Sequence, residues 1–164
     1  MTPTVKVALR ATSKPPLPPG FVRRPMNRLL VTAFGRGASR WLAPRGMLML
    51  TTVGRSTGKE RTCPLLWCAD AEHGAWVIAG GNYAKESMPN WYINLRAHPD
   101  KVWVDLGRGR VPVIAETLTG AERDPWIRAI PMISGLQDAT SREVPIVRLT
   151  QRIGSTSSPA DIRA

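Results

Sequence analysis

The chain has 164 residues, 43% of them hydrophobic, with 23 Lys and Arg against 12 Asp and Glu for a formal charge of +11. That length suits one domain with its own core, by the prior of roughly 100–200 residues per domain, and no apolar run nears the ~20 residues of a membrane-crossing helix. The charge is lopsided, with twelve basic residues and one acid in residues 1–61, which marks either a solvated basic tail or an anionic partner: nucleic acid, a membrane face or a polyanionic small molecule.

Residues 1–24 form a basic, Pro-rich arm containing Lys14-Pro15-Pro16-Leu17-Pro18-Pro19. Without apolar periodicity it reads as extended and disordered, and it lacks the h-region of a secretory signal. Residues 25–42 read as a basic amphipathic helix. Met26, Leu29, Leu30, Ala33, Phe34 and Trp41 recur at near-helical spacing opposite Arg28, Arg36 and Arg40. Such a helix either covers the folded body or lies on an anionic membrane face.

From Met47 the pattern turns to strands. Met47–Val53 is apolar and β-branched, and a second strand runs through Leu65–Cys68. A turn at residues 71–74 leads to a third strand over Trp76–Ala79. Gly80 to Pro89 is a loop, and Asn90–Ala97 reads as a short helix ended by His98-Pro99. Alternation around Val102, Val104 and Leu106, a turn at Gly107-Arg108-Gly109 and the run Val111–Ala115 predict a hairpin. Thr119 and Glu122 match a capping box opening a helix to about Ile133, kinked or stopped by Pro131. Val144–Leu149 is the last strand, and residues 152–164 are a polar tail. Six strands with two interspersed helices predict a small, mainly antiparallel α+β barrel whose closure removes its edges.

The sequence offers little side-chain chemistry. Cys63 and Cys68, five apart in a strand, lie on opposite faces and can neither bridge nor share a metal. No metal site or disulfide framework is expected, which suits a reducing cytoplasm. No Gly-x-Ser-x-Gly elbow is present, and neither His73 nor His98 has an evident nucleophile partner. A reaction carried by a cofactor fits better than acid–base chemistry by side chains.

Two loops stand out. In the first, Gly54 and Gly58 allow a tight turn. Hydroxyls of Ser56 and Thr57 with turning N–H groups can form an anion-binding nest, beside Arg55, Lys59 and Arg61. The Gly-x3-Gly-Lys spacing is not a Walker A loop, and a plain solvated hairpin shares this composition. The second loop, Gly80-Gly81-Asn82-Tyr83, is again glycine-rich and polar. Trp91 and Leu95 share a helix face suited to the core, and Asn94 needs a loop or a ligand as hydrogen-bond partner.

The segments TTVGRSTGKERTCPL (51–65), PNWYINLRAHP (89–99) and TSREVPIV (140–147) resemble the deazaflavin (F420)-dependent nitroreductase and quinone reductase family of actinobacterial proteins. The resemblance spans roughly residues 45–150. It implies a split β-barrel of the flavin-reductase type. It also implies a hydride carried by coenzyme F420, with no catalytic side chain, and passed to a quinone, a nitroaromatic or an enone. Carried over by position, Arg55, Ser56, Thr57, Gly58, Lys59, Glu60 and Arg61 would embrace the phosphate and acidic tail of F420. Leu50 and Thr51 would approach it from the strand end. Ala79, Gly80, Gly81 and Asn82 would line the deazaflavin ring, with Trp91 and Asn94 behind them. Ser56 stands where family members often carry Lys or Arg. Ile130, Ile133 and Leu136 stand where nitroreductases carry tyrosines, which implies an apolar acceptor pocket suited to a quinone.

The resulting organisation is an arm over 1–24, an F420-binding split-barrel domain with its N-terminal helix over 25–151, and a tail over 152–164. An F420H2-dependent reductase is the leading expectation. The alternatives are a non-catalytic F420- or lipid-binding protein and an FMN-dependent split-barrel oxidoreductase. The expected place is the cytoplasm or the inner face of the cell membrane, reached through residues 1–45. With only two Tyr and two Phe there is no stacking platform for nucleic acid, and none is expected as a partner.

Overall fold

A computed structural model describes residues 46–152, together with Arg40 and Ala43. The predicted arm, the predicted helix over 25–42 and the tail beyond residue 152 lie outside the described residues. Six strands carry the described fold: β1 (Met47–Val53), β2 (Glu60–Asp70), β3 (Ala75–Ala79), β4 (Val102–Asp105), β5 (Arg110–Leu118) and β6 (Ile146–Gln151). All pair antiparallel, in the closed order β1-β2-β3-β6-β5-β4. Closure leaves no free sheet edge along the ring.

The period-2 alternation decides which side chains point inward. Leu48, Leu50, Trp76, Ile78, Val102, Val104, Val113, Val147 and Leu149 fill the barrel. The helix α1 (Asn90–Ala97) adds Tyr92 and Leu95 to that core. The intervening residues Val77, Leu118 and Ile146 face outward, where α2 (Gly120–Ala129) and α3 (Pro131–Asp138) cover them with Trp126, Ile130 and Ile133. Burying such side chains contributes roughly 1.5–3 kcal/mol each.

Several expectations change. β2 runs from Glu60, five residues earlier than predicted. Pro64 is tolerated because it lies opposite Met49 on a stretch that β3, paired only from Trp67 onward, does not flank. The predicted helix to Ile133 is two helices. Ile130 takes an extended conformation, φ −113° and ψ 99°, as a residue before proline prefers, and Pro131 opens α3. The capping box does not form: Thr119 makes no side-chain cap bond, and Glu122 turns to Arg148 at 3.6 Å.

Arg148 and Asp70 form a buried charge pair in the barrel wall, with Arg148 as the donor. The guanidinium donates to Asp70 at 2.9 Å and to Glu116 at 3.2 Å. Burial alone would raise the Asp70 carboxyl, but bonds from His73 and Arg148 outweigh it and hold the group below its ordinary range. Burial pushes the Cys63 thiol up to about 12 and raises Cys68 too, so neither is a reactive thiolate at neutral pH.

Candidate functional site

Both glycine-bearing loops leave the same end of the barrel, because β2 and β3 run antiparallel. The first joins β1 to β2 over residues 54–59. Gly54 N–H donates to the Lys59 carbonyl at 2.8 Å, and Gly58 N–H to the Gly54 carbonyl at 2.8 Å. Gly58 sits at φ +64°, a conformation that L side chains resist. Arg55 N–H donates to Asn94 Oδ1 at 3.2 Å, so the amide of α1 finds its partner in this loop. Lys59 N–H reaches Thr57 Oγ1 at 3.4 Å.

Those bonds alter the expected anion nest. The N–H groups of Gly54, Arg55, Gly58 and Lys59 are all used within the protein. The side chains of Arg55, Lys59 and Arg61 are exposed around the turn. Glu60 does not join them, since its carboxylate takes a two-pronged bond from Arg110 at 2.6 and 2.8 Å. That guanidinium stacks 4.0 Å over Trp103. The fork lowers the Glu60 carboxyl and turns it away from the three cations.

An open cleft of about 390 Å³ lies beside the loop, lined by Arg55, Met88, Tyr92, Ile93, Arg96 and Ala97. Arg96 was not singled out in the sequence, although it lies within the quoted 89–99 segment. In the last turn of α1 it stands with Arg55 at one cleft. Among the described residues neither pairs with a carboxylate. Two cations over an apolar floor suit an anionic, partly apolar ligand.

The second loop, residues 80–89, is held from outside. Gly80 N–H donates to the Pro145 carbonyl at 2.8 Å. A Cβ on Gly80 would stand 2.5 Å from Pro145 Cγ, and one on Gly81 would collide with Leu136 Cδ1. Glycine is what lets these backbones lie so close. Asn82 turns its amide back onto Ser87, donating to the carbonyl at 2.7 Å.

Other predicted site residues are placed differently. Leu50 is fully buried in the barrel core, its backbone between β2 and β4. Thr51 is buried with its hydroxyl against Thr62 at 2.9 Å. Neither offers a side chain to a ligand. Ala79 is half-buried in the ladder opposite Ile146, and Trp91 packs edge-on against Tyr92 at 5.9 Å. Ile130 and Ile133 belong to the outer core, only 3% and 4% exposed, so of the expected acceptor pocket only Leu136 reaches the loop, at Gly81. Ser56 and Thr57 stay exposed at the hairpin tip.

Comparison with known proteins gives this arrangement a family. A family model described as F420H2-dependent quinone reductase matches residues 24–151. An F420H2-dependent quinone reductase of Mycobacterium tuberculosis is 31% identical over 113 residues, covering 64% of this chain and 73% of that protein. Among solved structures, an F420-H2 dependent reductase (FDR-A) superposes with a TM-score of 0.55 at 29% identity, over 64% of this chain and 94% of that one. Another, described as a domain-swapped dimer, gives 0.59 at 28% identity over 79% and 96%. Among the described residues no helix is long and apolar enough to cross a membrane. The barrel is the expected split β-barrel of flavin-reductase type, and the chain belongs to the F420H2-dependent quinone reductase family, a family of oxidoreductase enzymes.

Proposed function

We propose that this F420H2-dependent oxidoreductase reduces a hydrophobic quinone, and that it seats the cofactor between the 54–59 hairpin and the Gly80–Gly81 segment. The observation that carries the reading is the cleft with Arg55 and Arg96. F420 has a phosphodiester, a lactyl carboxylate and a polyglutamate tail, and cations not already paired to carboxylates suit those groups. The residues present therefore fit the cofactor. Arg55 and Arg96 would hold its anionic part, with Lys59 and Arg61 at the exposed rim, and Gly80 and Gly81 would admit the flat ring close to the backbone.

When bound, F420H2 supplies a hydride from its deazaflavin ring. The chain's own part is to bind, orient and exclude water. Met88, Tyr92 and Ile93 make an apolar floor beside the arginines. Leu136 presents an aliphatic surface at Gly81. The Tyr92 hydroxyl is already within 3.3 Å of Thr117 Oγ1, inside the barrel, which leaves it poorly placed to hydrogen-bond a nitro group. This favours a quinone over a nitroaromatic. Residues 1–45, with nine cations and no acid, would bring the enzyme to an anionic lipid face where hydrophobic quinones reside.

Side-by-side fluorescence titration with F420 and FMN, followed by F420H2 oxidation with menadione, a nitroaromatic and an enone, tests the reading. Binding of F420 without FMN and turnover fastest with menadione are expected. Turnover faster with the nitroaromatic would remove the quinone assignment, and FMN binding in place of F420 would remove the proposed seat. Sedimentation with anionic vesicles, with and without residues 1–45, tests the lipid contact; equal sedimentation of the two forms would refute it.

A further inference from the structure

The third family-like segment, residues 140–147, has no part in the cleft, yet it makes the most concentrated polar contacts near the site. Arg142 Nη2 donates to both the Gly80 and Gly81 carbonyls at 3.0 Å, and its Nε to the Lys85 carbonyl at 2.8 Å. Glu86 reaches the other way. Its carboxylate accepts from Thr140 Oγ1 at 2.9 Å, Ser141 N–H at 3.1 Å and Ser141 Oγ at 2.7 Å. The segment is itself anchored to α3, through Gln137 donating to the Arg142 carbonyl at 2.9 Å and accepting from Val144 N–H at 2.8 Å.

These bonds bear on which way two peptides face: Arg142 holds the Gly80 carbonyl, and shares the Gly81 carbonyl with the Ala84 N–H, which donates to it at 2.9 Å. The described peptides are all trans, so a peptide's N–H points opposite to its carbonyl. With the Gly80 and Gly81 carbonyls turned to Arg142, the N–H groups of Gly81 and Asn82 point the other way. Among the described residues neither N–H has a protein acceptor, although Gly81 is buried. A donor without a protein acceptor is left to water or to a ligand.

We propose that Arg142 is a positioning residue for the reduction: it holds the Gly80 carbonyl and, together with the Ala84 N–H, the Gly81 carbonyl, so that the N–H groups of Gly81 and Asn82 face the cofactor seat, with Glu86 as a second strap. This role rests on seating the cofactor against Gly80–Gly81. The full-length variants Arg142→Ala, Arg142→Lys and Glu86→Gln test it, with Arg55→Ala as control. Losing a charge-assisted donor to two carbonyls should weaken binding of oxidised F420 about tenfold, with a matching rise in KM for F420H2. The Gly80 amide should lose hydrogen-exchange protection while Leu50 and Val104 in the barrel keep theirs. Arg142→Lys should recover part of the affinity, since an ammonium lacks the planar fork.

If Arg142→Ala frees the Gly80 amide but binds F420 like the parent, the clasp is structural and the proposal falls. It falls equally if Gly80 protection does not change. Should Arg142→Ala fail to fold, Glu86→Gln carries the same two readings. Unchanged F420 affinity in Arg55→Ala would remove the proposed seat, and this role with it. Loss in Arg55→Ala without loss in Arg142→Ala would remove the clasp alone.

Discussion

The two glycine-bearing loops look alike in composition, and both carry turn bonds of their own, but they are anchored differently. The 54–59 hairpin closes on itself: its turn bonds span a few residues, and α1 contributes one amide from Asn94. Its cations stay at the surface. The 80–89 loop has turn bonds of its own, from Ala84 N–H to the Gly81 carbonyl and from Asn82 Nδ2 to the Ser87 carbonyl, and is held besides by Thr140, Ser141, Arg142 and Pro145, over fifty positions away. A self-contained turn can leave charges free for a ligand, whereas a remotely docked one can hold a backbone at a set angle. The proposed seat would divide charge recognition and ring placement between them.

The largest effect that would sharpen this division is on binding. The double substitution Arg55→Ala and Arg96→Ala should weaken F420 by about 100-fold, if each charged contact contributes about 1.5 kcal/mol, while the thermal midpoint hardly moves. A large drop in that midpoint would mean that these arginines hold the fold instead. Next, Gly80→Ala should destabilise the protein by about 2 kcal/mol in urea, because the added methyl meets a rigid proline ring. Gly81→Ala should do less, as Leu136 can rotate away. Gly58→Ala should cost about 1 kcal/mol through its positive φ alone, with nothing near its Cβ to clash. An equal cost at Gly58 and Gly80 would break the contrast between local and remote support.

Acidification gives the smallest and most selective effect. Hydrogen bonds from the Ser141 hydroxyl, the Ser141 N–H and the Thr140 hydroxyl hold the Glu86 carboxyl below its ordinary range. A carboxyl depressed on folding contributes stability that is present above its unfolded pKa and is lost as pH falls through the folded one. Amide protection at Gly80 should therefore decline below the ordinary carboxylate range, before that at Gly54, whose bond joins two backbone groups. Parallel decline at both glycines would contradict it. Asp70, also depressed, puts the loss of the barrel-wall pair on the same acid side.

The strands and α1 were legible because their signals are local. Alternation at Val102 and Val104 and at Trp76 and Ile78 states which side chains share a face before any partner strand is known. The helix boundary at Pro131 was legible as a stop, but a second helix beyond it was not, since α3 has no signal stronger than its opening proline. In the site, cations and glycines could be read from the chain, but their uses could not. Glu60 reads as one more charged loop residue, and only the pairing of neighbouring strands brings Arg110 to it. Ile130 and Ile133 read as pocket walls until α2 and α3 lie on the barrel and bury them.

By itself, the sequence determined a strand-built barrel, two polar glycine loops and a basic excess confined to the first part of the chain. These follow from side-chain period, backbone freedom and charge, which need no distant partner. Tertiary structure alone decided which donors remain for a ligand. Barrel closure brings Arg55 within reach of Asn94, 39 positions on, and Arg142 within reach of Gly80, 62 positions back. A polar group's role depends on whether another group has already satisfied it, and only the folded chain settles that.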